Sequence, residues 1–479
     1  MIRAGLVGLL AAAVVLPGAT AAVSPRGSAA SAQTPPNVLV IMTDDQTVES
    51  MRVMANVNRL LGDRGATFRS SFVTFALCCP SRATFLTGQY AHNHGVLGNA
   101  PPAGGYAKLD HTNTLPVWLQ DAGYYTAHLG KYLNGYGRSD PTEIPPGYDE
   151  WRGSVDPTTY RFYDYTLNEN GRLTTYGAYQ TDLYARKAAR IIRQRAPSEQ
   201  PFFLWVAFLA PHSGGPREPD DPAGQPTPVP APRHRDAFDS EPLPKPPGFN
   251  ERDVSDKPSG IRRRPLLGPD RIRQIRESYE QRLESLLAVD EAVAKLVAAL
   301  RQARELGDTL IIFTSDNGFF HGEHRVPSGK LLAYEPSIRV PLIIRGPGIP
   351  AGLRLNQRVA NIDLAPTIVD AAGATPGRAM DGRSLLPVIA QPGVPLGRDL
   401  LVERGPGAGT FTALRAPAYL YVEHGNGEQE LYDLDRDPFQ LASRHADPAY
   451  AAIKENLSLR LDHLRACSGL ACRVRPAAR

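Results

Sequence analysis

Cysteine is scarce, four in 479 residues. That excludes a small scaffold held together by disulfides, and a chain this long buries a large core without them. Charge of one sign is also missing. Lysine and arginine total 53 against 49 acids, a formal net charge of +4. So small an excess gives no case for nucleic acid as a partner, and a basic cleft serves a small anion equally well. Long apolar runs are absent too. Ala4 to Leu16, within "MIRAGLVGLLAAAVVLPGATAAVS", is shorter than the ~20 residues a helix needs to cross a bilayer. With Arg3 before it and Ala19-Thr20-Ala21 after it, the run reads as a secretory signal over 1–21, not a stable membrane anchor. Residues 22–36 read as a disordered lead-in, and the expected location is extracellular.

Several apolar runs are short and end in polar groups. "NVLVIMTDD" ends at Asp45, "YYTAHLGK" at Lys131, "PFFLWVAFLAPH" at His212 and "TLIIFTSDN" at Asn317. Helical patterns alternate with them: Glu49 to Leu61, Thr114 to Ala122, Thr181 to Arg195 and Asp270 to Leu306. Continuous apolar strands alternating with helices predict an α/β fold with a mostly parallel sheet sandwiched by helices. Ligands bind beyond the carboxyl ends of such strands, so four polar endings predict one convergent site. The stretch 213–265 is rich in Pro, Gly and charge ("GGPREPDDPAGQPTPVPAP") and reads as a loop insertion, either a lid near the site mouth or disordered. The catalytic domain is expected over 37–394. From 395 to 479, short alternating runs and a helix from Pro448 to Arg465 predict a smaller C-terminal antiparallel-sheet subdomain.

In an oxidising compartment Cys467 and Cys472, in "ACSGLACR", are expected as a small-loop disulfide, the alternative being two free thiols. Cys78 and Cys79 are neighbours, and neighbouring cysteines rarely bridge each other. Asp44-Asp45 and Asp316-Asn317 are oxygen-rich pairs suited to a hard divalent cation, and neither contains a zinc-type ligand. The alternatives are a helix cap at Asp44 and a turn at "SDNG". Pro80 suits the first turn of a helix running toward Leu86, which puts Cys78 at a helix N-terminus where an anion is favoured. Arg82, one turn on, can fork onto an anionic oxygen pair. The alternative is a buried structural cysteine with a surface arginine.

"CCPSRATFLTG" resembles the sulfatase signature C-x-P-S-R-x-x-x-L-T-G. The resemblance runs from about Asn37 to at least Pro438 through "VLVIMTDDQ", "GKYLNGYG", "APHS", "FTSDNG", "KLLAYEPSIRVPLIIRGPGIP", "NIDLAPTIVDAAG", "MDGRSLLP" and "ELYDLDRDP". Its wording is most similar to the N-acetylglucosamine-6-sulfatase branch. The resemblance implies an alkaline-phosphatase-like fold and a formylglycine derived from Cys78 by a formylglycine-generating enzyme. It implies Ca²⁺, with Mg²⁺ as the alternative, on Asp44, Asp45, Asp316, Asn317 and residue 78. It implies Arg82 as the residue that orients position 78, and Lys131, His212 and Lys330 as sulfate contacts. Many members of the family carry a histidine two residues after the lysine that matches Lys131; here Leu133 stands there, and Asn134 is the suggested replacement. His92, His94 and His324 are either site-lining or structural.

The reaction the resemblance implies is hydrolysis of a sulfate monoester. A hydrated aldehyde attacks sulfur, Arg82, Lys131 and Lys330 stabilise sulfuryl oxygens, and His212 or Lys330 protonates the leaving alcohol. The expected substrate is a sulfated glycan of the 6-sulfated N-acetylglucosamine type, or an aryl sulfate. The alternatives are a phosphonate monoester or phosphodiester hydrolase of the same superfamily, and an inactive secreted glycan-binding homologue.

Overall fold

The four apolar runs become four adjacent strands at the centre of one sheet. The computed structural model describes residues 1, 2, 5, 8–14, 35–195, 198–219, 221–407 and 409–474. Residues 1–34 and 35–479 separate as two units. Among its described residues the first unit has no helix or strand, and the Ala19-Thr20-Ala21 cleavage site expected there lies outside the described residues. Among the described residues no helix is long and apolar enough to cross a membrane.

The second unit is built on a ten-stranded sheet. Its parallel core runs in the order Thr309–Ser315, Asn37–Thr43, Phe202–Ala207, Tyr125–Gly130 and Glu150–Ser154. Leu342–Arg345 closes one side antiparallel, followed by Ala66–Phe68 and Leu353–Leu355. The hairpin Tyr165–Glu169/Arg172–Tyr176 closes the other. Asn37–Thr43 and Thr309–Ser315 are buried at every position, as expected of strands covered on both faces.

Alternate residues of these strands serve the two faces. Val38, Val40, Met42, Phe203 and Trp205 pack on one side with Phe85, Leu86, Trp118, Leu364 and Ile368. These come from the helices Cys78–Thr87, Leu115–Asp121 and Leu364–Ala372. Leu39, Ile41, Leu204 and Val206 pack on the other side with Tyr184, Ala188, Leu286, Val293 and Val57, from Gln180–Arg195, Pro269–Gln302 and Ala55–Leu60.

The single helix expected from Glu49 to Leu61 is two pieces, a 3₁₀ turn Glu49–Val53 and the helix Ala55–Leu60. Met54 between them leaves helical geometry (φ −95°, ψ 68°). The break exposes first-turn N–H groups, and Asp290 of the long helix accepts from two of them, Val57 at 2.8 Å and Asn56 at 3.0 Å.

The C-terminal part forms a four-stranded antiparallel sheet, Leu400–Arg404, Phe411–Arg415, Tyr419–His424 and Gln429–Asp433. The helix Ala451–Ala466 packs on it through Leu457, Leu461 and Leu464, spaced as one helical stripe. Cys467 and Cys472 form the expected disulfide. The stretch 213–265 carries one short helix, Ser259–Arg262, and is anchored by buried Val229, Ala231, Leu243, Val254 and Ile261.

Candidate active site

Strand register brings the polar endings to one level. Thr43 pairs with Ser315, Met42 with Ala207, and Ala207 with Gly130. The next residues are therefore Asp44, Asp316 and Lys131, side by side, with His212 a short turn beyond Ala207. In an extended strand consecutive side chains point to opposite faces. Asp45 escapes that rule because its φ is +67°. Its N–H donates to Asp316 Oδ1 at 3.1 Å, and its carbonyl accepts from Arg282. Asp44 and Asp45 thus both face the site.

The helix Cys78–Thr87 supplies the other half. All ten residues are buried, and it ends at Gly88, whose φ of +65° is the left-handed conformation glycine accepts at no steric cost. A Cβ there would also meet Met380 at 2.9 Å. Cys78 is the first helical residue, as expected. Its Sγ lies 3.5 Å from Asp44 Oδ1 and 3.1 Å from Lys330 Nζ. Cys79 turns into the core, its N–H donating to Asn99 Oδ1 at 3.0 Å.

Cations alternate with carboxylates. Arg82, wholly buried, donates from Nε to Asp316 Oδ2 at 2.8 Å, from Nη2 to Asp44 Oδ2 at 3.2 Å and from Nη1 to the Lys131 carbonyl at 2.6 Å. The arginine expected on a surface if Cys78 were merely structural is instead a buried tie between two strand ends. Lys131 Nζ donates to Asp44 Oδ2, and Lys330 Nζ to Asp45 Oδ1. His212 Nε2 is 3.7 Å from Asp45 Oδ2, and its Nδ1 meets the Ser213 carbonyl at 2.7 Å.

These pairings set the protonation states. Burial opposes ionisation of Asp44, but Lys131, His212 and Arg82 together hold its carboxyl well below the usual range. Asp45 is also lowered, with Lys330 overruling burial. Asp316 is raised, by burial and by the charge of Asp44. Burial, with Asp44 adding to it, pushes the Cys78 thiol up to about 12. Burial lowers His212 to about 4, against the pull of Asp45 and Asp44. The picture is of ionised Asp44 and Asp45 against cationic lysines, around a neutral thiol.

The donor set fits a hard cation. Asp44, Asp45, Asp316 and Asn317 are all buried oxygen donors at two adjoining strand ends. Asn317 Nδ2 donates to Asp45 Oδ1 at 2.6 Å, while Asn317 Oδ1 is buried and accepts no hydrogen bond, an orphan that a cation would satisfy. Asp44, Asp45, Cys78 and His212 also bring one donor atom each within 4.8 Å of one another. That grouping takes His212 in place of Asp316, whose two oxygens already accept from Asp45 and Arg82.

Asn134 stands one step back. Its Nδ2 donates to Tyr160 OH at 2.5 Å, and Leu133 is buried in the core. The residue that closes over the cluster is Tyr160, which sequence reasoning missed. Lys131 Nζ lies 4.7 Å from its ring centre, and the His212 ring is 5.1 Å away. Arg282 was missed as well, and it grips the Pro211 and Asp45 carbonyls from the long helix. Neither residue sits in a stretch with a telling pattern. His92 pairs with Glu403 and His94 with Thr84, both structural positions, whereas His324 pairs with Glu251 and also lines a cavity with Thr47, Phe319 and His321.

A family model described as "Sulfatase" matches residues 36–374. An extracellular sulfatase Sulf-1 homologue of Caenorhabditis elegans is 38% identical over 365 residues, 74% of this chain. The chain spans about half, 49%, of that relative's length. Human N-acetylglucosamine-6-sulfatase is 32% identical over 493 residues, covering 92% of this chain and 86% of the relative. A solved structure of a protein in complex with its substrate D-glucosamine-2-N,6-O-disulfate superposes with a TM-score of 0.76 at 26% identity, over 90% of this chain and 97% of that one.

Proposed function

The chain belongs to the sulfatase family, whose members are sulfuric ester hydrolases, and from that premise we propose that it is a secreted enzyme removing O-sulfate from a glycan of the 6-sulfated N-acetylglucosamine type. The observation that carries this reading is the position of Cys78, with Asp44 at 3.5 Å, Lys330 at 3.1 Å and Arg82 one turn along the same helix. A thiol held neutral up to about 12 is a poor nucleophile as it stands. That favours conversion of Cys78 to formylglycine. The substrate part of the reading draws on the human relative and on the glucosamine disulfate bound by the solved neighbour. The extracellular relatives support secretion.

Asp44, Asp45, Asp316 and Asn317 would hold a divalent cation, Ca²⁺ before Mg²⁺, together with residue 78. The cation and the formylglycine together supply an acidified hydroxyl nucleophile at neutral pH and positive charge for the sulfuryl oxygens. Arg82 fixes the carboxylates of Asp44 and Asp316 from one planar group. Lys131 and Lys330 present ammonium groups where sulfate charge develops. His212 is neutral in the free protein with its Nδ1–H on the Ser213 carbonyl, so Nε2 takes up a proton as the sulfate ester binds before it donates to a sulfate oxygen or to the leaving alcohol. Tyr160 shields Lys131 and His212 from water on one side.

The test is mass spectrometry of the tryptic peptide 70–82 from protein made in its native host. The expected result is an aldehyde at residue 78, oxygen replacing sulfur and two hydrogens, together with turnover of sulfate esters in preference to phosphonate esters. Thiols at both 78 and 79 in that host would overturn the reading in favour of a glycan-binding protein.

A further inference from the structure

A cleft of about 630 Å³, inside the ~300–1,000 Å³ range of small-molecule sites, is walled by the end of the proline-rich stretch and by the C-terminal sheet. Its lining includes Arg263, Arg264, Leu332, Arg404 and Thr410. It is fastened to two segments of the candidate active site. Leu332 is two residues after Lys330, so their Cα atoms are at most ~7 Å apart. Leu331 between them has a φ of +77°, and its carbonyl accepts from Arg404 Nη1 at 2.9 Å. Glu403, next to Arg404, donates its N–H to the Thr74 carbonyl at 2.8 Å, four residues before Cys78.

The lining is basic, and its charge is not neutralised. Arg263 is exposed and Arg264 half-buried. Among the described residues neither guanidinium has an ion-pair or hydrogen-bond partner. The backbone that carries them is nonetheless held. Glu428 accepts from the Ser259 N–H at 2.9 Å, Ile261 is buried, and the Arg264 carbonyl accepts from Arg325 Nη1 at 2.8 Å. Glu428 is the single carboxylate of the lining among the described residues. It is already matched by the Ser259 hydroxyl and by Arg262 Nη2, each at 3.0 Å. Unpaired cations on a convex face are simply solvated, but in a concave wall their fields add and draw an anion. Guanidinium groups fork onto the oxygen pairs of sulfate and carboxylate.

We propose that this cleft is a second anion site, in which Arg263 and Arg264 take a further sulfate or carboxylate of the same glycan chain whose ester is hydrolysed beside Lys330. This rests on the sulfatase reading above and narrows its substrate class to a polyanionic chain, in preference to a single sulfated sugar. The loop Lys330–Leu332 joins the two anion sites: Lys330 faces Cys78, and Leu332 lines the cleft. A single sulfated sugar reaches only the first of them and gains nothing from the arginines.

The test measures kcat and KM for 6-O-sulfated N-acetylglucosamine and for a tetrasaccharide that ends in the same sugar and carries carboxylates and further sulfates. The proteins compared are the modified full-length chain and its double variant Arg263→Gln/Arg264→Gln. The expected result is a wild-type KM at least ten-fold lower for the tetrasaccharide, an advantage the double variant mostly loses. Its kcat and KM for the single sugar stay within two-fold of wild type. Arg263→Lys/Arg264→Lys is expected to keep most of the advantage, and about 0.5 M NaCl to remove it from wild type by screening. A wild-type protein with no preference for the tetrasaccharide, or a preference unchanged within two-fold in the double variant, overturns the inference while leaving the sulfatase reading standing. An equal loss on both substrates overturns it as well, because the arginines then act through the fold. Wild-type protein that hydrolyses neither ester overturns the sulfatase reading, and the inference with it.

Discussion

Lys330 Nζ lies 3.1 Å from Cys78 Sγ while it holds Asp45 Oδ1. One ammonium group therefore touches both the position proposed to carry the nucleophile and one of the carboxylates proposed for the cation. Removing a single charge-stabilising donor from such a site costs ~10²–10³ in rate. Lys330→Ala is expected to lower kcat/KM for a sulfate ester about 100-fold, with most of the loss in kcat. Steady-state kinetics check it, and a loss confined to KM would reduce Lys330 to a binding contact.

Cys78→Ser separates nucleophilic attack from release. Serine supplies one hydroxyl, so it can accept a sulfuryl group but lacks the second hydroxyl that would help expel it. The expected outcome is a protein whose mass rises by one SO₃ on incubation with an aryl sulfate, with turnover slowed at least 100-fold. Intact-mass spectrometry reads it. Sustained multiple turnover by the serine variant would contradict the two-hydroxyl argument.

Arg82 joins Asp44 and Asp316 with both partners fully buried. Truncating one member of a buried ion pair costs ~3–5 kcal/mol, because the remaining charges stay in the interior. Arg82→Ala is expected to lose stability of that order and all activity. Arg82→Lys should recover only part, since an ammonium cannot fork to two carboxylates and the Lys131 carbonyl together. Denaturant midpoints compared with wild type measure the difference.

Chelation tests the oxygen cluster. A ligand that binds only the folded state raises stability with the logarithm of its concentration. Treatment with EDTA is expected to abolish activity and lower the melting temperature, with Ca²⁺ restoring both better than Mg²⁺. Asp45→Asn should shift the Ca²⁺ titration to higher concentration. A melting temperature indifferent to chelator and to Ca²⁺ would argue against a resident cation.

His94 gives a pH signature unrelated to the reaction. Burial, helped by the charge of Arg378, lowers it to about 3. The cause is visible: Val96 N–H donates to Nδ1 at 3.1 Å, and Nε2 meets Thr84 Oγ1 at 3.0 Å. A second ring proton would point N–H at N–H. The unfolded chain takes up that proton below about pH 6.5 and the folded chain does not. Stability therefore falls as pH drops from about 6.5 toward 3, by about 1.4 kcal/mol per unit from this residue. His94→Gln is expected to flatten the slope by that amount between about pH 4 and 6 in urea unfolding curves.

The sheet was legible because its strands are apolar on both faces, so each apolar run maps onto one strand and each polar ending onto the site. Asp44, Asp45, Lys131, His212, Asp316 and Asn317 were readable for that reason; for Cys78 and Arg82 the local helix signal from Pro80 toward Leu86 left a structural cysteine open, and the resemblance of "CCPSRATFLTG" to the sulfatase signature singled them out. Tyr160 and Arg282 were not. Tyr160 ends a short 3₁₀ turn, Thr158–Tyr160, between strands, and Arg282 lies mid-helix among other charges; only the folded chain brings either to the site. The break at Met54 was hidden because what stabilises it, Asp290, is more than two hundred residues away. The position of Leu133 was readable as a departure, but its consequence needed the structure, in which a tyrosine from another segment occupies the ground beside Lys131.

The complete burial of the helix Cys78–Thr87 imposes a schedule on biosynthesis. An enzyme that acts on Cys78 needs the segment extended and accessible, and in the finished fold Cys78 is 1% exposed. The strand that delivers Asp316 is made long after Cys78 leaves the ribosome, since 316 − 78 is 238 residues. At ~5–20 residues per second, that delay is on the order of tens of seconds. Until Thr309–Ser315 pairs with Asn37–Thr43, the pocket around Cys78 lacks a wall. The proposed conversion of Cys78 would therefore compete with closure of the sheet, so a host that folds the chain faster than it modifies it would accumulate well-folded protein that can no longer be activated.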